Sequence, residues 1–560
     1  MRHLDLCTPV YSTAAMREAD RATMEDFGIP GFTLMETAAR GAVHAIVERY
    51  GPMKHKNVLV LAGKGNNGGD GLAIARLLYG LRARVLVVTN ATEENATPET
   101  VHNLRLLRRL SELEATRWAE VEAPPEWSFW LQIISVDEEL DPSTLEQQIE
   151  GWSYPDLTVD ALLGIGQQHA LREPIHSLVW ESYSLNPVVS VDVPTGINSD
   201  TGEAIDEEGV LPELTVTMGR PKVGLLFGDG RFNAGDVVTV DISIPRHIEW
   251  EVMQKPGCAY LPTDAFVSAA LPGRGEEAHK YEVGMALVVA GSNGYTGAAV
   301  LAAQAAAKIG AGYVVCATTP DAQRAIDAHA PVIATLGLPT TESGGIAESA
   351  LDTILDRAEK AKSVLIGPGL GRDAETVRLV HRLLDALATD FPDTPIVLDA
   401  DGLNALADTD ANVWQIAHRY DTPRLVLTPH LGEFRRLVAG SGGNPDNLDL
   451  NRRTWIVPEW AATWNAVLLL KGAPSVIGQP DDATFVAASV NSALATAGSG
   501  DVLAGSIAGL LAQGAAPAEA TVCALHLGLA AADRYTATRD GRSMQASDLI
   551  ELLPQVMHDF

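Results

Sequence analysis

The sequence predicts a two-domain α/β chain, each domain built on a largely parallel sheet with helices on both faces. Three observations predict it. At 560 residues the chain exceeds what one hydrophobic core usually organises. Strand-length apolar runs alternate with helical patterns, the order that builds parallel sheets through crossover helices. The runs end in Gly-rich or polar turns, which is where open α/β sheets place their ligands.

The first series of strands is NVLVLAG from Asn57, ARVLVV from Ala83, LTVDALLG from Leu157 and VVSVDVPTG from Val188, closing with VVTVDISIP at Pro245. Such unbroken apolar runs suit strands buried on both faces. From Arg246 to Pro262 periodicity is lost, and Pro256 and Gly257 intervene. The expected division is a first domain over 1–246, a linker over 247–262 and a second domain over 263–560. The second series is MALVVAGS from Met285, YVVCATTP from Tyr313, SVLIGPGLG from Ser363, PIVLDADGLN from Pro395, RLVLTPHLGE from Arg424 and AVLLLKG from Ala466. Ala298 to Ile309, rich in Ala and spaced by Gln304 and Lys308, reads as a helix packed on the sheet. The two series share no alignable repeat.

Composition narrows the function classes. With 46% hydrophobic and 20% charged residues, and 50 Gly and 31 Pro without a period, the chain reads as folded and soluble. A formal net charge of -31 argues against nucleic-acid backbones and anionic membranes, which are bound through clustered Lys and Arg. A nucleotide can still bind where local N–H groups and a few Lys reverse the field. Cys7, Cys258, Cys316 and Cys523 lack paired spacing, so no zinc site is expected and a reducing compartment is. The start MRHLDLCTPVYS has no long apolar run, and other apolar segments are short or interrupted. Neither a signal peptide nor a membrane span is expected, and the location expected is the cytoplasm.

In the second half, ATAGSGDVLAGSIAGLLAQ from Ala495 puts Gly498, Ser499 and Gly500 ahead of Asp501 and a helix from about Val502. Small residues admit phosphate oxygens to the backbone, and the first helical N–H groups point at the anion. A carboxylate placed there is a base for a substrate hydroxyl, a partner to magnesium, or simply a helix N-cap. Lys471 ends a buried strand, suited to a phosphate or ribose contact, and His430 and Glu433 sit at another strand end. The turns GSNGYTG, GPGLG, DADGLN, TPHLGE, KGAPS and TAGSGD form one rim of ligand-facing loops.

In the first half, LVLAGKGNNGGDGLAIARLL from Leu59 reads as strand, turn and helix. Its spacing differs from GxGxxG, and Asn66, Asn67 and Asp70 add polar groups that fingerprint does not need. It is either a pyrophosphate loop or a tight turn with Asx hydrogen bonds. Asp160 in TVDALLGIG and Asp192 in VSVDVPTG end two further strands, as helix caps or as members of a shared site.

The ordered set of turns from Thr263 to Phe560, with His279 and Lys280 opening the first strand, resembles the ribokinase-like superfamily, and within it the ADP- or ATP-dependent NAD(P)H-hydrate dehydratases. That resemblance implies a ribokinase-like α/β domain. By position it implies contacts to the hydrated nicotinamide nucleotide from Gly297, Gly369 and His430. The adenine nucleotide, ADP or ATP with magnesium, falls to Lys471, Gly472, Ala473, Pro474, Ser475, Gly498, Ser499 and Gly500. Asp501 matches the catalytic carboxylate. Ser492, Ala493, Ala497 and Pro474 depart from the family pattern, as do Tyr281 and Glu282 after HK.

Tyr11 to Pro245, through GKGNNGGDG and VDVPTG, resembles the NAD(P)H-hydrate epimerases of the YjeF N-terminal family, which implies a Rossmann-like three-layer sandwich. By position, substrate contacts fall to Asn66, Asn67, Gly68, Gly69 and Asp70, and to Gly164, Ile165, Gly166, Gln167, Gln168, His169 and Ala170. Asp192 matches the acid or base, and Asn67, Asp160 and Thr195 match a potassium site. Ile165, Gln167 and Gln168 depart from the usual GTG pattern. Lys222 in RPKVG is similar to a family Lys, and a surface ion pair is the other reading. Together the two resemblances imply a bifunctional repair enzyme for hydrated NADH and NADPH, with small-molecule substrates, no nucleic-acid or membrane partner, and a homo-oligomeric state. The alternatives are a small-molecule hydroxyl kinase and a non-catalytic N-terminal scaffold, against which Asp70, Asp160 and Asp192 are retained.

Overall fold

The computed structural model describes residues 3–118, 130–137, 147, 149, 152, 154–182, 187–206, 209–275, 277–407, 414–419 and 422–560. The chain forms two compact units: Pro9–Cys258, and Ala259–Phe560 together with Met1–Thr8.

In the N-terminal unit the strands are β1 (Asn57–Ala62), β2 (Arg84–Thr89), β3 (Leu131–Ser135), β4 (Leu157–Ala161), β5 (Val188–Val191), β6 (Leu214–Met218) and β7 (Asp236–Val240). They lie in the order β3-β2-β1-β4-β5-β6-β7, and every neighbouring pair is parallel. This is the doubly wound order, and its direction reverses between β1 and β4. Period-2 geometry sends alternate side chains of β1 to opposite faces. Leu59 and Leu61 pack with Leu178 and Val179 of the helix Ile175–Ser182. On the other face the helix Asn66–Gly80 comes so close that a Cβ built on Gly71 would stand 2.4 Å from Ala161 Cβ. Both faces are therefore covered, as the apolar runs predict.

Three features of this unit were not legible in the sequence. β3 and β6 went unread. The stretch 247–262, expected as a linker, carries most of the helix Arg246–Val252 and the strand Ala259–Leu261, and the division between units falls inside it, after Cys258. Elements of seven and three residues are too short to show a period.

In the C-terminal unit the strands are β8 (Ala259–Leu261), β9 (Met285–Val289), β10 (Tyr313–Thr318), β11 (Ala334–Gly337), β12 (Ser363–Ile366), β13 (Ile396–Leu398), β14 (Leu425–Leu427), β15 (Ala466–Leu470), β16 (Val476–Gly478) and β17 (Phe485–Val486). They run in the order β8-β17-β16-β15-β14-β13-β12-β9-β10-β11. From β15 to β11 the pairs are parallel, and β16 is antiparallel to both of its neighbours. The helix Thr296–Lys308 packs against the helix Ser499–Ala512 at backbone distance. A Cβ built on Gly505 would stand 2.1 Å from Ala302 O. That second helix starts at Ser499, three residues before the expected Val502, because Gly498 takes φ 88 and caps it. All four cysteines are free and buried. Among the described residues no helix is long and apolar enough to cross a membrane.

Candidate active sites

In the N-terminal unit a cavity of about 890 Å³ opens at the carboxyl ends of β1 and β4, where the strand order reverses. The turn after β1 is pressed onto the end of β4. A Cβ on Gly63 would stand 1.9 Å from Leu162 O, and one on Gly68 would stand 1.7 Å from Gly63 O. Only glycine closes this turn. Asn66, Asn67, Asp70, Asp192 and the whole stretch Gly164–Ala170 line the cavity. Gly68 and Gly69, expected as contacts, do not line it, and a Cβ on Gly69 would meet Met35 Cε at 2.6 Å.

Asp192, at the end of β5, has φ 70, a left-handed conformation that lifts its carboxylate off the strand. Its Oδ1 accepts from the Lys222 ammonium, whose other protons go to Thr217 Oγ1 at 3.1 Å and Met218 O at 2.6 Å. Lys222 is fully buried and its three donors are spent, so it fixes Asp192 and is no surface ion pair. Asp192 Oδ2 lies 3.1 Å from where a Cβ on Gly164 would stand, under the Gly164–Ala170 loop.

Beneath the wall, Asp160 is fully buried and accepts four hydrogen bonds. Leu162 N (3.2 Å) and Thr195 Oγ1 (2.8 Å) reach Oδ1, while Ser190 Oγ (2.7 Å) and Thr195 N (3.0 Å) reach Oδ2. Burial nevertheless pushes its proton affinity above the usual carboxylate range. Asn67 Nδ2 donates to Leu163 O at 2.9 Å, and Asn67 Oδ1 is buried without a partner. The amide oxygen of Asn67 is thus an acceptor without a donor. An all-oxygen set of one carboxylate, one hydroxyl and one orphaned amide oxygen therefore fits a weakly hydrated cation. Gln167, one of the departures from the family pattern, is buried and braces the same turn. It accepts from Gly196 N at 2.6 Å and donates to Pro194 O at 3.3 Å.

The sequence reading missed Asp20, which reaches the cavity from the helix Thr13–Arg21. No turn motif marks it. Burial raises its pKa to about 7, opposed by Lys222 and reinforced by Asp192. Asp70 is raised well above the usual range, first by burial and then by Asp192 and Asp20. Three carboxylates thus share one ammonium.

In the C-terminal unit the expected rim is tied together by hydrogen bonds. Ser292 Oγ donates to Gly369 O at 2.8 Å, and Gly371 N donates to Asp401 Oδ2 at 2.9 Å. Gly369 has φ 64, and a Cβ there would strike Tyr295 O at 2.7 Å. Gly297 faces open space. His430 caps the helix Leu431–Gly440: its Nδ1 accepts from Gly432 N at 3.0 Å and Glu433 N at 3.3 Å, while Glu433 Oε2 accepts from His430 N at 2.9 Å. That capping box assigns the ring proton to Nε2, which lies 3.4 Å from Glu433 Oε1.

Lys471 Nζ pairs with Asp399 Oδ1 at 2.6 Å, and Thr428 Oγ1 donates to the same oxygen at 2.8 Å. Asp399 is buried at the end of β13, an anchor that the motif DADGLN contains but that was not singled out. A Cβ on Gly500 would stand 3.2 Å from Lys471 Nζ and 3.8 Å from Asp399 Oδ2. Asp501, third residue of its helix and so not the N-cap, is raised to about 6. Burial is the main cause, Asp399 and Asp401 add to it, and Lys471 opposes it. The Gly472–Ser475 turn closes on itself, Gly472 N donating to Ser475 Oγ at 3.2 Å.

Two family profiles match: that described as YjeF-related protein N-terminus over residues 31–224, and that described as NAD(P)H-hydrate dehydratase over residues 286–555. The bifunctional NAD(P)H-hydrate repair enzyme Nnr of Salinibacter ruber is 45% identical over 553 residues, covering 98% of this chain and 96% of its own. The chain belongs to the bifunctional NAD(P)H-hydrate repair enzymes. The family member of Moorella thermoacetica is 35% identical, covering 98% of this chain and 97% of its own. Among solved structures, the ADP/ATP-dependent NAD(P)H-hydrate dehydratase of Bacillus subtilis, co-crystallised with ATP/Mg2+, is 30% identical. It covers 53% of this chain and 98% of its own, with a TM-score of 0.44. As a repair enzyme the chain joins a YjeF-type N-terminal domain to an NAD(P)H-hydrate dehydratase domain.

Proposed function

We propose that Pro9–Cys258 interconverts the R and S hydrates of NADH and NADPH, and that Ala259–Phe560 dehydrates the S hydrate at the expense of ADP or ATP with magnesium. The observation that carries this is the full-length similarity to relatives named bifunctional NAD(P)H-hydrate repair enzymes, in a chain with a carboxylate site at the strand ends of each unit.

Epimerisation needs a proton delivered to the hydroxyl on carbon 6 of the reduced ring. The C–O bond then breaks, water leaves, and the ring nitrogen holds the cation until water returns to either face. Asp192 Oδ2 moves the proton, while Lys222 holds Oδ1 still. Asn66, Asn67, Asp70 and the Gly164–Ala170 loop hold the nucleotide. Asn67, Asp160 and Thr195 would hold potassium, whose charge would offset the buried acceptors.

In the dehydratase unit Gly297, Gly369 and His430 hold the hydrate, and Lys471–Ser475 with Gly498, Ser499 and Gly500 hold the adenine nucleotide. Asp501 accepts the hydroxyl proton as oxygen attacks the terminal phosphoryl group, and the helix N–H groups receive the developing charge. The ring nitrogen then expels phosphate, and loss of a proton from the adjacent carbon restores the double bond.

Mixed hydrate epimers incubated with pure protein and ADP or ATP should regain the full absorbance of NADH; no recovery with either nucleotide would refute the dehydratase assignment. The protein is further proposed to be a cytoplasmic homo-oligomer, which light scattering of the purified chain tests for its oligomeric part.

A further inference from the structure

Arg453 opens the helix Arg453–Thr463, beside the Gly472–Ser475 turn that follows β15. Its neighbour Arg452 lies over the Trp455 ring at 4.7 Å, an exposed stacking arrangement. Arg453 is placed differently. Half-buried, it donates from Nε to Leu450 O at 3.2 Å and from Nη1 to Pro474 O at 3.4 Å. A Cβ built on Gly472 would stand 2.5 Å from the same Nη1. The guanidinium thus rests on the turn's backbone, against a residue with no side chain to push it away.

Two of its five N–H donors meet carbonyl oxygens, and among the described residues it forms no ion pair. Asp449, four residues upstream, has a carboxylate oxygen bound to Asn451 N at 3.2 Å. Burial weakens the hold of Arg453 on its proton, as expected of a cation lacking a counter-ion. A guanidinium withdrawn from water without an anion is costly, and removing that cost requires one.

Lys471 is matched by Asp399 at 2.6 Å, and Asp401, Glu433 and Asp501 add negative charge around them. Beyond the magnesium it carries, a polyphosphate entering this acidic site is held better by a side-chain cation not already paired.

We propose that Arg453 is a phosphate-binding residue of the nucleotide site, its guanidinium gripping the polyphosphate tail of ADP or ATP beside the Gly472–Ser475 turn. The proposal rests on the assignment of that turn to the adenine nucleotide. A planar fork suits two non-bridging oxygens at once, which an ammonium cannot reproduce.

The test is calorimetric binding of ADP, ATP and adenosine to the full-length chain and to Arg453→Gln and Arg453→Lys. Arg453→Gln should weaken ADP and ATP by about 10- to 100-fold, and Arg453→Lys by less. Adenosine, which has no phosphate, should bind all three proteins alike, and epimerisation should be untouched. Unchanged ADP affinity in Arg453→Gln overturns the proposal. So does an equal loss for adenosine, since Arg453 would then only brace the turn. If the unaltered chain binds no adenine nucleotide, the site assignment itself fails.

Discussion

Asp501 and Asp20 are both carboxylates raised by burial, yet the consequences differ in sign. As the proposed base, Asp501 works only without its proton. With its pKa raised to about 6, dehydration should climb as pH rises through about 6 and level off above it. Asp501→Asn should lose about 10²- to 10⁴-fold in rate at neutral pH, with hydrate binding kept. A rate that stays flat down through that pH would contradict the base assignment. For Asp20 the measurable effect is on folding. Its folded pKa of about 7 lies above the unfolded value, so its contribution is fully present at low pH and is lost as pH rises through about 7. Asp20→Asn should therefore raise the melting temperature of the N-terminal unit above pH 7, by on the order of 2–4 °C per kcal/mol recovered, and change little in strong acid. Equal melting at all pH values would mean Asp20 is freely solvated. Asp501 was legible in the sequence because a motif marks it. Asp20 was not, since a lone acid on an amphipathic helix looks like any solvated charge until a cavity closes over it.

Among elements, the strands were the most legible and their ends the least. Runs such as Val58–Ala62 are apolar at every position because both faces are covered, and no neighbouring pattern competes with that signal. For the buried Lys222 the sequence leaves a family lysine and a surface ion pair both open, since nothing in its neighbours reveals an aspartate waiting 30 positions upstream. The same limit hid the start of the helix at Ser499, which depends on the left-handed turn at Gly498. Turn glycines are different, because their spacing is the signal. In GKGNNGGDG, Gly68 has Gly63 O at 1.7 Å from its missing Cβ, so even one methyl group must push the helix Asn66–Gly80 off the end of β1. Gly68→Ala should cost more than about 2 kcal/mol and abolish epimerisation. Dehydration of pure S hydrate should survive. An active Gly68→Ala epimerase would show that this turn yields more easily than its backbone contact implies.

For the whole molecule, the sequence indicates two domains, and the structure moves the division to Cys258–Ala259 and gives the first eight residues to the C-terminal unit. No local pattern announces that a chain's start joins its far half. The functional consequence of two units is a pair of separable losses. A mixed preparation of R and S hydrates offers the dehydratase only part of its substrate at once, so the epimerase sets how fast the remainder is repaired. Asp192→Asn should restore NADH quickly from the S fraction and then slow to the spontaneous epimerisation rate. Asp501→Asn should release NADH only at its strongly reduced rate while the two hydrates still equilibrate. An equimolar mixture of the two variants should then carry the whole preparation to NADH, because each hydrate can diffuse from one protein to the other. If Asp192→Asn slowed the S fraction as much as the R fraction, the assignment of one step to each unit would be wrong. If the mixture stalled where Asp192→Asn alone stalls, the hydrate would have to stay on a single chain between the two steps.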